Sequence, residues 1–319
     1  MRIAIVGAGA IGGWVAAKLA GAGHEVALLA RGATLAAVET NGLVLREGGG
    51  ETSLRFQASD DAASLGPRDL LIFAVKAPSL AAAAAAAAPL IGAGTLILPM
   101  LNGVPWWFLA DRNQSLASVD PDAAVARALP LPQVIGCVVH ASCASPEPGL
   151  IVHGSGDGLI VGEPAGGDSE RLQALAALLG AAGFTATASA RIQKDVWYKL
   201  WGNMTMNPIS ALTGGICNAI LDDELVEAFI LDIMAEAAEI GARIGCPIEQ
   251  SGRDRIAVTR KLGPFKTSML QDVEAGRPIE LDALLGAPRE IGRMAGVKTP
   301  NMDALFGLTR VMARQSGLY

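Results

Sequence analysis

Three polar residues in an apolar neighbourhood are the clearest candidates for chemistry: Lys199, Asn203 and Asn207. They fall at i, i+4 and i+8 within Val196-Trp197-Tyr198-Lys199-Leu200-Trp201-Gly202-Asn203-Met204-Thr205-Met206-Asn207-Pro208. On a helix that spacing puts one ammonium and two amides along a single face. Trp197, Tyr198, Leu200, Trp201, Met204 and Met206 make the surroundings largely apolar. An ammonium in such a wall suits acid–base work, and amides suit fixed hydrogen bonds to a polar small molecule. Taken alone, the stripe also reads as the solvated side of an amphipathic helix.

A second set of residues opens the chain. Arg2–Val6 is a short apolar run that reads as a buried parallel strand, and it leads into Gly7-Ala8-Gly9-Ala10-Ile11-Gly12 and then a helical pattern through Ala20. Strand, G-x-G-x-x-G turn and helix are the context in which this motif binds a dinucleotide. Gly7 would permit the tight turn, Gly9 would let the backbone approach a pyrophosphate, and Gly12 would let helix and strand pack closely. The phosphates would sit on the unsatisfied N–H groups of the helix N-terminus. The second strand, Glu25–Leu29, runs on into Ala30-Arg31 with no acid to bind a ribose 2′-hydroxyl. Arg31 is either a solvated charge or a guanidinium that grips a 2′-phosphate, so the expected cofactor is NADP (NADPH).

Other polar residues stand where strands end. Lys76 follows a strand at Leu70–Ala74, and Asn102-Gly103 follows one at Thr95–Leu98. In open α/β sheets the ligand lies outside such carboxyl ends. Lys76 alone also reads as a solvent-exposed lysine, and Asn102-Gly103 as a turn. In Lys266-Thr267-Ser268-Met269-Leu270-Gln271-Asp272 and the following Glu280, Ser268 could cap one helix and Glu280 could open the next.

The elements that must position these residues divide the chain in two. Further strands are expected at Val134–His140, with hairpins at Leu43–Phe56 around Gly48-Gly49-Gly50 and at Leu150–His153 with Leu159–Val161 across Gly154–Gly158. Strands alternating with helices predict an α/β fold with a mostly parallel, doubly wound Rossmann-type sheet. Within Asn113–Pro132, a loop-rich stretch, a short helix is expected over Pro121–Ala128. From about Ala188, helices are expected at Val196–Met206, Asp222–Gly241, Ser251–Lys261, Leu281–Ala295 and Met302–Met312, with Asp222 as an N-cap. The expected domains are residues 1–187 for the dinucleotide and 188–319, all-α, for substrate and catalysis.

Composition narrows the partners. The 319 residues carry a net charge of −6, with 51% hydrophobic and 18% charged residues, which argues against a nucleic-acid partner, since that would need a basic face. Ala77–Leu101 has no charged residue, but Pro78, Pro89, Pro99, Gly92 and Gly94 break it; a helix at Ser79–Ala88, a turn and a strand are expected there, not a membrane span. The N-terminal run is interrupted by glycines and Lys18 and is not read as a signal peptide. Cys137, Cys143, Cys217 and Cys246, with three scattered histidines, give neither a disulfide framework nor a metal site and fit a reducing cytoplasm. An all-helical second domain is of the kind that builds homodimers, though no apolar seam stands out.

Taken in order, Gly7–Gly12, Arg31, Lys76, Asn102-Gly103, Lys-x-x-x-Asn-x-x-x-Asn-Pro and Ser-Met-Leu-Gln-Asp with Glu280 resemble the ketopantoate reductase (2-dehydropantoate 2-reductase) family from end to end. The resemblance implies a Rossmann domain and a helical domain with the active site in the cleft between them. It casts Lys199 as general acid and Asn102, Asn203 and Asn207 as groups orienting the substrate's carbonyl and hydroxyl. Ser268 would bind the carboxylate, Glu280 would bind substrate and support the lysine, and Arg31 and Lys76 would belong to NADPH, with Asn102 also on the cofactor side. The implied reaction is NADPH-dependent reduction of 2-dehydropantoate to pantoate, for pantothenate and coenzyme A. The alternatives are a paralogue acting on another 2-oxo acid and a non-catalytic NADP-binding sensor, the latter opposed by Lys199 and Glu280 together. Val104-Pro105-Trp106-Trp107-Phe108 and the loop after it depart from the family pattern and are expected to reshape the substrate pocket.

Overall fold

Runs such as Ile3-Ala4-Ile5-Val6 and Leu70-Leu71-Ile72-Phe73 lack polar alternation, as suits strands covered on both faces. They pair as adjacent parallel strands, and none of the eight residues is more than 3% exposed. This computed structural model describes residues 1–261 and 263–319. The chain forms two units: Met1–Leu101 with Ala110–Asn113 and Ala123–Ile192, and Asn102–Leu109 with Gln114–Asp122 and Gln193–Tyr319.

The first unit holds ten strands: β1 (Arg2–Val6), β2 (Glu25–Leu29), β3 (Leu43–Glu47), β4 (Gly50–Leu54), β5 (Gln57–Ser59), β6 (Arg68–Phe73), β7 (Ile91–Pro99), β8 (Gly136–Glu147), β9 (Leu150–Gly162) and β10 (Thr185–Ser189). Its helices are α1 (Ala10–Gly21), α2 (Gly32–Asn41), α3 (Ala62–Leu65), α4 (Leu80–Ala86), α5 (Ala124–Ala128) and α6 (Glu170–Ala181). One sheet runs β5-β2-β1-β6-β7, entirely parallel, which is the Rossmann order with its reversal between β1 and β6. Val134 adds an isolated parallel bridge to Ile97 at its edge.

The remaining strands form a second, mixed sheet ordered β10-β9-β3-β4, with β8 antiparallel to β9. The hairpin expected around Gly48-Gly49-Gly50 is β3–β4. The hairpin expected across Gly154–Gly158 is not formed: Leu150–His153 and Leu159–Val161 belong to the single strand β9, whose partner is β8. The turn lies instead at Pro148-Gly149, where Gly149 has φ +80. Inside β9 the glycines absorb register shifts against β8, and a Cβ on Gly156 would lie 2.4 Å from the His140 carbonyl oxygen.

Ala77–Leu101 breaks where its prolines fall, into a 3₁₀ turn at Ala77–Ser79, α4, a 3₁₀ turn at Ala88–Leu90 and β7. Among the described residues no helix is long and apolar enough to cross a membrane. Thr187 lies inside β10, and the change to the helical unit comes between Ile192 and Gln193.

The second unit contains α7 (Ile192–Thr213), α8 (Cys217–Asp222), α9 (Glu224–Arg243), α10 (Gly252–Arg260), α11 (Ser268–Glu274), α12 (Ala287–Met294) and α13 (Pro300–Gln315). Asp223, not Asp222, caps α9, accepting from the N–H groups of Leu225 and Val226. The helix expected at Leu281–Ala295 starts as a π-helical turn, Asp282–Gly286, and continues as α12.

A buried acid ties the last part of the first unit together. Glu163, 8% exposed, accepts from Ser169 Oγ at 2.6 Å and Arg171 Nε at 2.8 Å, and Arg171 also donates to the carbonyls of Pro132 and Val134. Burial pushes the Glu163 carboxyl up, but the Arg171 and Ser169 hydrogen bonds outweigh it and hold the group below its ordinary value. A lowered carboxyl contributes stability above its unfolded-state value and loses it as pH falls through the folded one. Glu163→Gln should therefore cost about 1–3 kcal/mol of unfolding free energy near pH ~7. In urea titrations the gap to wild type should narrow toward pH ~3; a gap independent of pH would contradict the assignment.

Candidate functional site

In the first unit the site begins at the end of β1. Gly7 has φ +94, and a Cβ there would lie 2.7 Å from Val75 Cγ1 and 2.9 Å from the Ala74 carbonyl oxygen. A Cβ on Gly12 would lie 1.9 Å from the Gly7 carbonyl oxygen. These two glycines let β1, α1 and the end of β6 pack together. Gly9 differs: a Cβ there would meet nothing within 4 Å. Gly9 is also the N-cap of α1, with no side chain capping the helix and no acid in its first turn. Ala8 is buried, while Ala10 and Ile11 are half-buried in that turn. Open space above exposed helix N–H groups, free of competing carboxylates, is what a pyrophosphate requires.

The strand ends on either side complete this rim. Ala30 is 6% exposed and donates its N–H to the Ser59 carbonyl at 3.0 Å, so the chain turns outward just beyond it. Arg31 is the exposed, extended residue before α2. Lys76, half-buried, follows β6, and its carbonyl accepts the Ser79 N–H at 2.9 Å. Since β1 and β6 are neighbours and parallel, Gly7 and Lys76 stand at the same carboxyl edge, where the strand order reverses. The residues present fit a dinucleotide, with a cation and no acid beyond β2.

In the second unit α7 carries Lys199, Asn203 and Asn207 along about 12 Å of one face. Lys199 and Asn203 are half-buried, and Asn207 is 6% exposed. The other side of α7 is fixed by its indoles: Trp197 Nε1 donates to the Ala237 carbonyl at 3.1 Å and Trp201 Nε1 to the Met234 carbonyl at 2.8 Å. Gly241 on α9 makes room for this, since a Cβ there would lie 2.6 Å from Trp197 Nε1. Tyr198 leaves the expected apolar wall; it is 42% exposed and its hydroxyl donates to Gln250 Oε1 at 2.7 Å.

Asn102 belongs to this same unit, although it follows a strand of the first. Gly103 has φ +80, and a Cβ there would lie 2.5 Å from the Ala283 carbonyl oxygen, which accepts the Val104 N–H at 2.8 Å. The Asn102-Gly103 turn is thus seated on the π-helical turn that directly follows Glu280. Trp106, Trp107 and Phe108 are buried, with the Phe108 and Trp197 ring centroids 5.9 Å apart. These aromatics lie in the core and anchor this segment. Its continuation is clamped by Glu290 on α12, which accepts from the N–H groups of Ala117 and Ser118 at 2.9 and 2.8 Å.

Glu280 is 5% exposed, and its carbonyl accepts the Leu284 N–H at 3.1 Å. Ser268 does not cap α11: Thr267 does, accepting the Leu270 N–H at 3.2 Å, which leaves Ser268 exposed in the first turn. The predicted residues therefore occupy three pieces of this unit: the α7 stripe, the joined Asn102 and Glu280 turns, and the start of α11.

The sequence reading missed Asp282, whose Oδ1 accepts the Tyr319 hydroxyl at 2.9 Å. The two lie too far apart in the chain for any periodicity to link them. Burial raises the Asp282 carboxyl, opposed by the Tyr319 hydrogen bond and by Arg310, Arg314 and Arg289. Thiol chemistry has little support, since burial pushes Cys143 up to about 12 and Cys217 to about 11. Among the described residues no group of three or more His, Cys, Asp or Glu is arranged to hold a metal ion.

Known proteins match the chain along most of its length. Residues 3–166 match the family described as Ketopantoate reductase PanE/ApbA, and residues 191–313 match Ketopantoate reductase PanE/ApbA C terminal. A 2-dehydropantoate 2-reductase from Mesorhizobium japonicum is 42% identical over the whole of both chains. A solved structure from Ralstonia solanacearum MolK2 superposes with a TM-score of 0.96 at 56% identity, covering 100% of this chain and 99% of that one. The solved 2-dehydropantoate 2-reductase from Methylococcus capsulatus superposes with a TM-score of 0.84 at 29% identity, covering 99% and 98%. The chain belongs to the ketopantoate reductase family and is an oxidoreductase of the 2-dehydropantoate 2-reductase type.

Proposed function

We propose that this protein reduces 2-dehydropantoate to pantoate with NADPH, in the cytoplasm and on the route to pantothenate and coenzyme A, with Lys199 as the general acid. The observation that carries the reading is the α7 stripe: one ammonium and two amides on a helix whose opposite face is fixed by Trp197 and Trp201.

When bound, the reduced nicotinamide supplies the hydride to the ketone carbon. The chain's own residues do the rest. Lys199 donates an Nζ–H to the ketone oxygen, stabilises the negative charge that builds there and delivers its proton, leaving an alcohol and a neutral amine that solvent reprotonates. Glu280 offsets the cost of partly burying the ammonium and accepts a hydrogen bond from the substrate. Asn102, Asn203 and Asn207 orient the carbonyl and hydroxyl, which holds the ketone in line for reaction. The exposed Ser268 hydroxyl donates to the substrate carboxylate. On the first unit, the N–H groups at Gly9–Gly12 take the pyrophosphate, while Arg31 and Lys76 take the adenosine-side phosphate and the rim of the dinucleotide.

The direct test is NADPH oxidation with 2-dehydropantoate beside a panel of other 2-oxo acids. The highest kcat/KM is expected for 2-dehydropantoate; a higher value for another oxo acid would reassign the substrate, and no turnover with any would remove the enzymatic reading. Gly9→Ala tests the cradle by itself. The added methyl has open space in the free protein, so melting should be unchanged, whereas NADPH affinity should fall by about tenfold or more as the methyl takes the pyrophosphate's place. Unchanged affinity would put the phosphates elsewhere. Arg31→Ala should weaken NADPH by about ten- to a hundred-fold and leave NADH nearly unaffected. Equal losses for both cofactors would deny Arg31 the 2′-phosphate.

A further inference from the structure

The turn that carries Glu280 is gripped from outside at three consecutive levels. Ile279 donates its N–H to the Leu318 carbonyl at 3.1 Å, Asp282 Oδ1 accepts the Tyr319 hydroxyl at 2.9 Å, and the Ala283 carbonyl accepts the Val104 N–H at 2.8 Å. Glu280 lies between the first two contacts, and both come from the last two residues of the chain. The third contact is the one that seats Asn102. We propose that Tyr319, acting through Asp282, is a positioning residue for Glu280, and that Leu318-Tyr319 forms a latch setting the place of that carboxylate. This rests on the role given to Glu280 under the proposed function.

The local backbone explains why a latch is needed. Residues Asp282–Gly286 form a π-helical turn, a wide turn with weaker internal packing than an α-helix. It begins only two residues past Glu280. Gly286 lets the Asp282 side chain fold back along the turn, since a Cβ there would lie 2.9 Å from Asp282 Oδ1. Among the described residues the Tyr319 hydroxyl is the one hydrogen-bond donor to the Asp282 carboxylate. Without it, a half-buried carboxylate loses its donor, and the turn loses one of the contacts that flank Glu280.

Leu318 anchors the latch from the core, while Tyr319 is 44% exposed. Leu318 is 3% exposed and donates its N–H to the Ala313 carbonyl at 2.7 Å, while the Arg314 guanidinium lies 5.3 Å from the Tyr319 ring centroid. Burial and the Asp282 carboxylate push the Tyr319 hydroxyl up to about 12, so it remains a donor at any ordinary assay pH.

Tyr319→Phe in the full chain removes the hydroxyl and keeps the ring, so the latch can be tested without unfolding it. Two measurements decide. By hydrogen exchange, the Ile279 and Leu284 amides should exchange about tenfold faster or more in Tyr319→Phe, with the melting temperature nearly unchanged. Unchanged exchange there overturns the latch, and this arm needs no turnover, so it stands even if the substrate assignment fails. In steady-state kinetics, Tyr319→Phe should lower kcat/KM for the oxo acid by about 5- to 30-fold with NADPH affinity unchanged. The same change made in Glu280→Gln should lower it less than about twofold further, because the group being positioned is already gone. An equal loss in both backgrounds would mean that Tyr319 acts on stability or on some other group, and would overturn the proposal.

Discussion

The second unit depends on how α7 is held. Two indole N–H groups, Trp197 and Trp201, reach carbonyls on α9, and Gly241 leaves out the side chain that would obstruct Trp197. Buried polar donors of this kind are costly unless satisfied, so the pair fixes both the rotation and the height of α7. With that face committed, Lys199, Asn203 and Asn207 have only one direction to present. Phe108 packs on Trp197 and brings the Asn102 segment to the same anchor.

The first unit works on a different constraint. Its cradle is made almost wholly of backbone, because Gly7 and Gly12 bring strand and helix into contact that no other residue permits, and Gly9 leaves the space above free. Backbone N–H groups recognise phosphate in general. On the proposed reading, discrimination between dinucleotides falls to side chains at the strand ends, and substrate discrimination to the amides and carboxylates of the second unit. The Asn102 turn joins these assignments: it leaves a strand of the first unit and is built into the second through Ala283.

What was legible in the sequence is what local patterns encode. The β1 run and the Lys-x-x-x-Asn-x-x-x-Asn stripe each lie within one element, and the glycine motif joins two consecutive ones, so spacing alone places them. What was not legible depends on pairing across the fold. The glycines at 154–158 look like a turn until β8 is seen to need register shifts along β9. Thr267 takes the cap that Ser268 was expected to supply, because one residue decides where α11 starts. Trp106 and Trp107 stand out in the sequence by size alone, and only the fold shows that they are buried within the second unit. The Asp282–Tyr319 contact joins residues separated by the whole of α12 and α13, and no local signal points to it.

The central claim is that the Lys199 ammonium, held in place by α7, delivers the proton. Single-turnover oxidation of bound NADPH by Lys199→Ala, with NADPH affinity measured alongside, tests it most directly. The expected rate is about 10²–10⁴-fold below wild type, with affinity unchanged. A near wild-type rate in Lys199→Ala would contradict it and leave the proton to another group or to water.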